Sequence, residues 1–282
     1  MPHLKEEIKK IIKYFRNTHF PAAKYKQAGG TALNLPIDVR WNSLADCYES
    51  YLKNWHILAK VCSENITVFD VEICTKVQNL DLKTNVQNHL IKLQQICITL
   101  DKVQSEVCTI GEATEIWLNL LQSTKKIFNE FEIQCFKHRF DMAITPYHYL
   151  ANLLDHRFRG QKLNQDQIEE TLEYASSRYP EAMPFIIQYQ ARSSPFREYL
   201  FSTENIKNVS PISWWRSLQN SMNNVMFDLS MQVHTAVASS AGIERLFSTF
   251  GFIHSKVRNR LGIEKASKLV SIMKSLNSKN SE

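Results

Sequence analysis

The stretch "SSAGIERLFSTFG", residues 239–251, has the periodicity of an amphipathic helix that carries a single acid. At 100° per residue its large apolar side chains share one face, formed by Ile243, Leu246, Phe247 and Phe250. Glu244 lies at the edge of this face, on the side where small residues also lie. Taken alone, these residues leave two interpretations: a metal ligand with open space above it, or an acid that pairs with a nearby Arg or Lys. The residues by themselves favour the second.

The same helical spacing recurs along the chain and predicts a mainly α-helical protein. Its apolar sets begin with Leu4, Ile8, Ile11 and Phe15, and continue with Leu44, Tyr48, Tyr51, Trp55 and Leu58. Ser43 and Ser213 are predicted as N-caps, and Thr145-Pro146 as N-cap and first helical residue. The best strand candidate is "ENITVFDVEIC", residues 64–74, because it is rich in β-branched residues.

Size and composition limit the class of protein. A chain of 282 residues holds one large domain or two ordinary ones, and 44% hydrophobic residues allow a sizeable core. The net charge of +6 permits a nucleic-acid partner without requiring one. The six cysteines fall mostly at apolar helical positions, as in reducing compartments. Because no signal peptide or membrane-length apolar run is present, we expect an intracellular protein without membrane or small-molecule partners.

Three further positions could carry chemistry, and each has an ordinary structural alternative. Cys135 and His138 form a CxxH pair, but a structural zinc site needs four ligands. Asp70 lies in the strand-like run, where a carboxylate can hold a metal ion, but it is expected to be a surface residue or a cap. Trp41, preceded by Arg40, either fills the core or stacks on an unpaired base while the arginine contacts phosphate.

The C-terminal stretch combines positive charge with an apolar ridge. Its basic residues are Lys256, Arg258, Arg260, Lys265 and Lys268. The ridge that follows consists of Leu269, Ile272, Met273 and Leu276. A ridge of this kind requires a partner surface, either in the same chain or in a second subunit.

Several of these stretches together resemble hAT-type transposases. "SSAGIERLFSTFG" followed by "HSKVRNRLGIEKASKLVSIMKSLN" is similar to the family's C-terminal dimerisation region. "PISWWRSL", residues 211–218, resembles the segment that leads into that region. Arg40-Trp41-Asn42-Ser43 resembles the family's RW motif, and "YHYLANLLDHRFRG", residues 147–160, its A-x-x-LDPR stretch, with His156 where proline is common.

The resemblance implies an RNase H-like fold interrupted by a helical insertion, in which Asp, Asp and Glu hold divalent metal ions for DNA cleavage. By motif position Glu244 corresponds to the third carboxylate and Trp41 to a residue that stacks on DNA bases. We therefore expect residues 1–40 to be the end of the RNase H-like core, 41–205 the helical insertion, and 206–282 the dimerisation region.

This chain departs from the family pattern before the RW motif. The family's two Asp residues lie upstream of that motif, whereas residues 1–17 contain no Asp and Asp38 has no strand before it. The family's zinc-binding BED domain is also missing. We therefore expect no enzyme activity and no cofactor, with Glu244 as a vestigial carboxylate; Mg²⁺ or Mn²⁺ belongs to the intact family enzyme.

The function expected from the sequence is that of a transposase-derived nuclear protein that dimerises. The partner is a second copy or a related hAT-derived chain, joined through the Leu269, Ile272, Met273 and Leu276 ridge. Weak, non-specific DNA binding is expected through Arg40, Trp41, Lys256, Arg258 and Arg260. The alternative is that the sequence is a fragment or truncated gene model of an active, metal-dependent hAT transposase.

Overall fold

The computed structural model describes residues 2–37, 42–253 and 262–279. These ranges form α-helices and short 3-10 helices, without a strand. The α-helices are α1 Pro2–Asn17, α2 His19–Gln27, α3 Ser43–Glu64, α4 Val71–Gln78, α5 Leu80–Val103, α6 Ile110–Thr124, α7 Glu130–Ala143, α8 Pro146–Leu154, α9 Gln165–Arg178, α10 Met183–Gln190, α11 Thr203–Asn208, α12 Pro211–Ser217, α13 Asn224–Thr235, α14 Ala241–Ile253 and α15 Ile263–Lys279. The mainly α prediction is confirmed; the RNase H-like remnant stays a prediction.

Packing divides the chain into two compact units, unit 1 (Met1–Leu100) and unit 2 (Asp101–Glu282). The segments predicted at 1–40, 41–205 and 206–282 were derived from the family resemblance. The division into packing units does not test them, and they stay predictions.

Among the described residues, none of the helices combines the length and the apolar character that a membrane span requires.

The core of unit 1 forms around the face of α1 that the sequence predicts. Ile8, Ile11 and Phe15 are fully buried, and they belong to one cluster with Tyr51 and Leu58 of α3. Full burial of a side chain of this size contributes roughly 1.5–3 kcal/mol. The amphipathic pattern of α1 therefore accounts for its place in this core.

Buried polar side chains of α3 hold the irregular segment after α2. Asn54 accepts hydrogen bonds at its Oδ1 from the Thr31 amide at 2.9 Å and from the Thr31 hydroxyl at 3.0 Å. The Ser50 hydroxyl accepts a hydrogen bond from the Asn34 amide at 2.9 Å. These bonds satisfy backbone groups that have no helical partner.

The predicted strand at residues 64–74 is wrong: α3 ends in it and α4 begins in it. The Asp70 Oδ1 accepts a hydrogen bond from the Ile73 amide at 3.1 Å, while the Asp70 amide donates to the Tyr14 hydroxyl at 2.9 Å. This cap and the contact with α1 outweigh the β-propensity of the branched residues. The expectation that Asp70 is a helix cap is confirmed.

The predicted cap at Thr145 is confirmed, and the one at Ser43 needs correction. Thr145 is the N-cap of α8 and Pro146 its first residue. Ser43 is the first residue of α3, whereas Asn42 is its N-cap. The Ser43 hydroxyl instead exchanges two hydrogen bonds with the backbone of Ile37, at 2.8 and 2.9 Å.

The predicted helix capped by Ser213 is also wrong, because two helices occupy this stretch. Pro211 begins α12, with Ser210 as its N-cap. Asn223 then caps α13, accepting a hydrogen bond at 2.9 Å from the Met226 amide. Proline is favoured at the first helical position and asparagine at the N-cap. These local preferences divide the stretch into two helices, α12 and α13, where one helix was predicted.

Aromatic residues fill the core of unit 2 around the end of α8. The Trp215 indole N–H donates to the Leu154 carbonyl oxygen at 3.1 Å, and the Tyr189 hydroxyl donates to the same oxygen at 3.3 Å. Both donors are buried, as is Phe196 beside them. The carbonyl left without a partner at the C-terminus of α8 is thereby satisfied within the core.

Candidate functional site

The five residues predicted to contact DNA lie outside the described residues. They are Arg40, Trp41, Lys256, Arg258 and Arg260. Their role stays a prediction, and both alternatives for Trp41 stay open.

Glu244 lies in the first turn of α14 with its side chain exposed. The Ser240 hydroxyl donates to Glu244 Oε1 at 2.7 Å, and the Glu244 amide donates to the Ser240 carbonyl at 2.9 Å. Among the described residues the observed partner is therefore a hydroxyl; pairing with an Arg or Lys stays a prediction. An acid in this position also interacts favourably with the positive end of the helix. Its vestigial catalytic role stays a prediction.

No three His, Cys, Asp or Glu side chains in the described ranges are grouped so that they could hold a metal ion. Cys135 and His138 are both exposed residues of α7. Four further cysteines, Cys47, Cys62, Cys74 and Cys108, are buried, and burial raises the pKa of the Cys108 thiol to about 11. These four buried thiols pack as small apolar groups, as the sequence indicates.

Helices α14 and α15 pack against each other and expose a shared set of large apolar side chains. Val270 of α15 is buried, with only 6% of its surface exposed. The exposed set, called here the hairpin face, consists of Ile243, Leu246 and Phe247 of α14 and Leu269, Ile272 and Met273 of α15. Phe247 is 69% exposed and Ile272 54% exposed. Leu276 also belongs to α15, but its side chain lies outside the described part of the chain.

Helices α14 and α15 are called here the hairpin. The hairpin is joined to the rest of unit 2 near the start of α14, which is called here the root. Arg245 donates to the carbonyl of Gln104 at 2.9 Å. Thr109 and Val237 form an antiparallel bridge, flanked by hydrogen bonds from the Ala238 amide to the Cys108 carbonyl and from the Ile110 amide to the Ala236 carbonyl. Because Ile243 and Phe247 are each two residues from Arg245, they lie on the opposite side of α14 from this contact. These two residues of the hairpin face therefore point away from the root.

Residues 155–157 form a buried ionic centre immediately after α8. The Asp155 carboxylate is fully buried and accepts hydrogen bonds from the Arg157 amide, Nε and Nη2 at 2.9, 2.9 and 2.7 Å. Glu112 of α6 lies 2.9 Å from the same Nη2. Burial alone lowers the pKa of Arg157, but these two acids outweigh burial and raise it. The centre thus fixes the end of α8 to α6.

His234, near the end of α13, is 2% exposed and lies beside Trp215. Burial lowers the pKa of His234 to about 4, although the charge of Asp155 acts in the opposite direction. Neither of its ring nitrogens has a hydrogen-bond partner in the described residues. The imidazole is therefore neutral at physiological pH.

An open cavity of about 610 Å³ lies beside His234 and is called here the groove. Its large apolar lining consists of Val107, Ile206, Val209, Ile212 and Val237. Arg157 and Lys207 supply positive charge and Glu112 negative charge. No pattern in the sequence marks this site, because its residues come from helix ends and junctions where no periodicity is present. Val107 and Val237 are exposed at these junctions, and their exposure is visible only in the structure.

Comparison with known families assigns the region that contains the hairpin and most of the groove. Residues 195–276 match the hAT family C-terminal dimerisation region. A search of curated proteins found no match to the chain. The matched region includes α14, the residues of α15 up to position 276, and the groove residues from α11 to the root of the hairpin. The match over residues 195–276 supports membership of the chain in the hAT family.

Proposed function

We propose that this chain is a transposase-derived, non-catalytic protein that forms a homodimer, or pairs with related hAT-derived chains, through the hairpin face. The observation that carries the proposal is the exposure of six large apolar side chains on two helices inside the matched dimerisation region. Full burial of a side chain of this size contributes roughly 1.5–3 kcal/mol. These six are 37–69% exposed, so covering each in a subunit contact contributes part of that amount and is favourable.

The experiment that tests the dimer replaces two exposed residues of α15. The Leu269→Asp/Ile272→Asp double variant is expected to be a folded monomer, whereas the parent chain is a dimer at micromolar concentration. Size-exclusion chromatography with light scattering gives the mass, and circular dichroism gives the helix content. Ile187→Asp is the matched control, because Ile187 is 57% exposed on α10, outside the hairpin. A monomeric parent chain would refute the proposal.

The non-catalytic part of the proposal is supported by the setting of Glu244. Its carboxylate accepts a hydrogen bond from the Ser240 hydroxyl, and the described residues hold no group of three metal-ligating side chains. Two-metal cleavage of DNA needs several carboxylates around the ions. The proposed function accordingly uses no metal cofactor.

Weak, non-specific DNA binding in the nucleus completes the proposal. Its support is the net charge of +6 and the basic run Lys256, Arg258 and Arg260. Contacts of this type neutralise phosphates and release counterions, so they do not distinguish sequences. Fluorescence microscopy of the tagged chain tests the nuclear location; exclusion from the nucleus would contradict it.

A further inference from the structure

The described part of the hairpin is small for a stable interface. At 1.5 Å per residue α14 is about 20 Å long and α15 about 25 Å long, and each helix is about 10 Å wide. The two helices together offer a face of roughly 400–500 Å². A stable interface takes about 800 Å² from each partner. We therefore expect surface beyond the described hairpin to take part in a dimer of this chain.

The groove is an apolar surface beside the start of α14 that could supply the missing area. Val237 lines it and stands just before α14, and Val107, 81% exposed, lines it as well. Most of its lining falls within the matched dimerisation region. The groove is thus continuous with the region that mediates dimerisation.

Ile243 and Phe247 lie on the side of α14 opposite its contact with Gln104, and a second copy can bring these side chains to the groove. Arg245 holds one side of α14 against Gln104, which leaves Ile243 and Phe247 on the other side. In a two-fold dimer the contact of one copy's α14 with the other copy's groove occurs twice, since such interfaces are self-complementary. The area contributed by each partner then includes both a hairpin and a groove.

The charges of the two surfaces are complementary. Glu244 lies about 60° from Phe247 around α14, so a groove that receives the phenyl ring also meets the carboxylate. Lys207 is exposed at the groove, and Arg157 lies deeper with its charge already balanced by Asp155 and Glu112. Lys207 is therefore the cation that faces the incoming acid.

We infer that the groove is the docking site for α14 of a second copy, with Phe247 inserted into it and Glu244 paired with the partner's Lys207. This inference rests on the proposed dimerisation and specifies the surface that the hairpin binds. A cavity of about 610 Å³ accommodates a phenyl ring with room for neighbouring groups. The arrangement gives Glu244 a role in assembly that does not require metal chemistry.

A charge exchange in the full chain tests the pair. Glu244→Lys and Lys207→Glu are each expected to raise the dimer Kd at least tenfold in sedimentation equilibrium, because each places like charges together. The double variant is expected to return to within about threefold of the parent. Glu244→Lys combined with Lys137→Glu is the matched control, since Lys137 is an exposed residue of α7 that does not line the groove, and it should not rescue. Both residues to be exchanged are exposed, so the fold is preserved.

Cross-linking gives a second, independent measurement. p-Benzoylphenylalanine at position 247, in a mixture of ¹⁵N-labelled and unlabelled chains, is expected to form inter-chain cross-links to residues 203–212. If the parent is a dimer but cross-links only to α14 or α15, the groove assignment is wrong and dimerisation still holds. The same conclusion follows if the charge exchange does not restore the dimer Kd. A monomeric parent overturns both.

Discussion

The imidazole of His156 lies parallel to the indole of Trp214, with ring centroids 5.3 Å apart and an interplanar angle of 7°. His156 is fully buried, and its Nε2 lies 3.4 Å from the Asn205 carbonyl. This stacking joins two of the stretches that resemble hAT transposases, "LDHR" and "SWWR". Each looked in sequence like a separate motif, and in the structure they form one packed centre next to the groove.

The buried carboxylate of this centre is expected to be essential for stability. Asp155→Ala leaves the Arg157 guanidinium largely without its main counter-charge, and we expect a loss of about 3–5 kcal/mol in the free energy of unfolding. Urea denaturation followed by tryptophan fluorescence measures the change. Glu198→Ala, which removes an exposed partner of Arg192, is the control and should change stability far less. Equal losses in the two variants would contradict the assigned importance of Asp155.

Stability is expected to fall as pH decreases from about 6.5 towards 4. His234 is buried in its neutral form with a pKa of about 4, whereas the unfolded chain takes up this proton near pH 6.5. The contribution of the neutral imidazole to the free energy of unfolding is therefore complete above pH 6.5. It is lost as the pH falls from about 6.5 to about 4, by up to about 3 kcal/mol. Burial lowers the pKa values of His148 and His156 in the same direction.

His234→Phe isolates this effect, because the phenyl ring takes up no proton. Relative to the parent, the variant should keep more of its pH 7.5 stability at pH 4.5, as measured by thermal melting. The control is His138→Phe, at an exposed position on α7, and it should follow the parent. An unchanged pH dependence in the His234 variant would show that the buried imidazole is not responsible.

The chain is expected not to cleave DNA. Supercoiled plasmid incubated with the protein and Mg²⁺ or Mn²⁺ should remain supercoiled, since Glu244 alone cannot hold the ions that strand cleavage requires. Agarose electrophoresis gives the result. Nicking that disappears in Glu244→Ala would establish a catalytic role for this carboxylate.

DNA binding, where it is measured, should depend steeply on salt and little on sequence. Replacing Lys256, Arg258 and Arg260 with Ala is expected to lower the slope of log K against log salt by about 0.9 for each phosphate that these side chains no longer neutralise. Fluorescence anisotropy with two unrelated duplexes measures both dependences. Tight binding to only one duplex, persisting at high salt, would disprove the non-specific mode.

Periodicity was sufficient to predict the helices whose apolar face packs on a core. The α1 face of Ile8, Ile11 and Phe15 is an example, because a complete turn-by-turn pattern leaves few alternatives. Periodicity failed where a local cap decided the backbone, as at Asp70 and Asn223. The apolar ridge of α15 could be predicted from the sequence, because Leu269 and Ile272 share one helix face. The groove could not be predicted, because Val107 and Ile212 come together only through the tertiary fold.

The contact between Arg245 and Gln104 joins residues 141 positions apart. During synthesis the segment around Gln104 leaves the ribosome well before α14 exists, so the root of the hairpin is assembled among the last events in unit 2. Long-range contacts of this kind form slowly, and apolar surface awaiting them is prone to aggregate. A nascent chain that ends before residue 241 therefore lacks the contact at Gln104, and we expect chaperones to recognise the incomplete surface there until the C-terminal helices emerge.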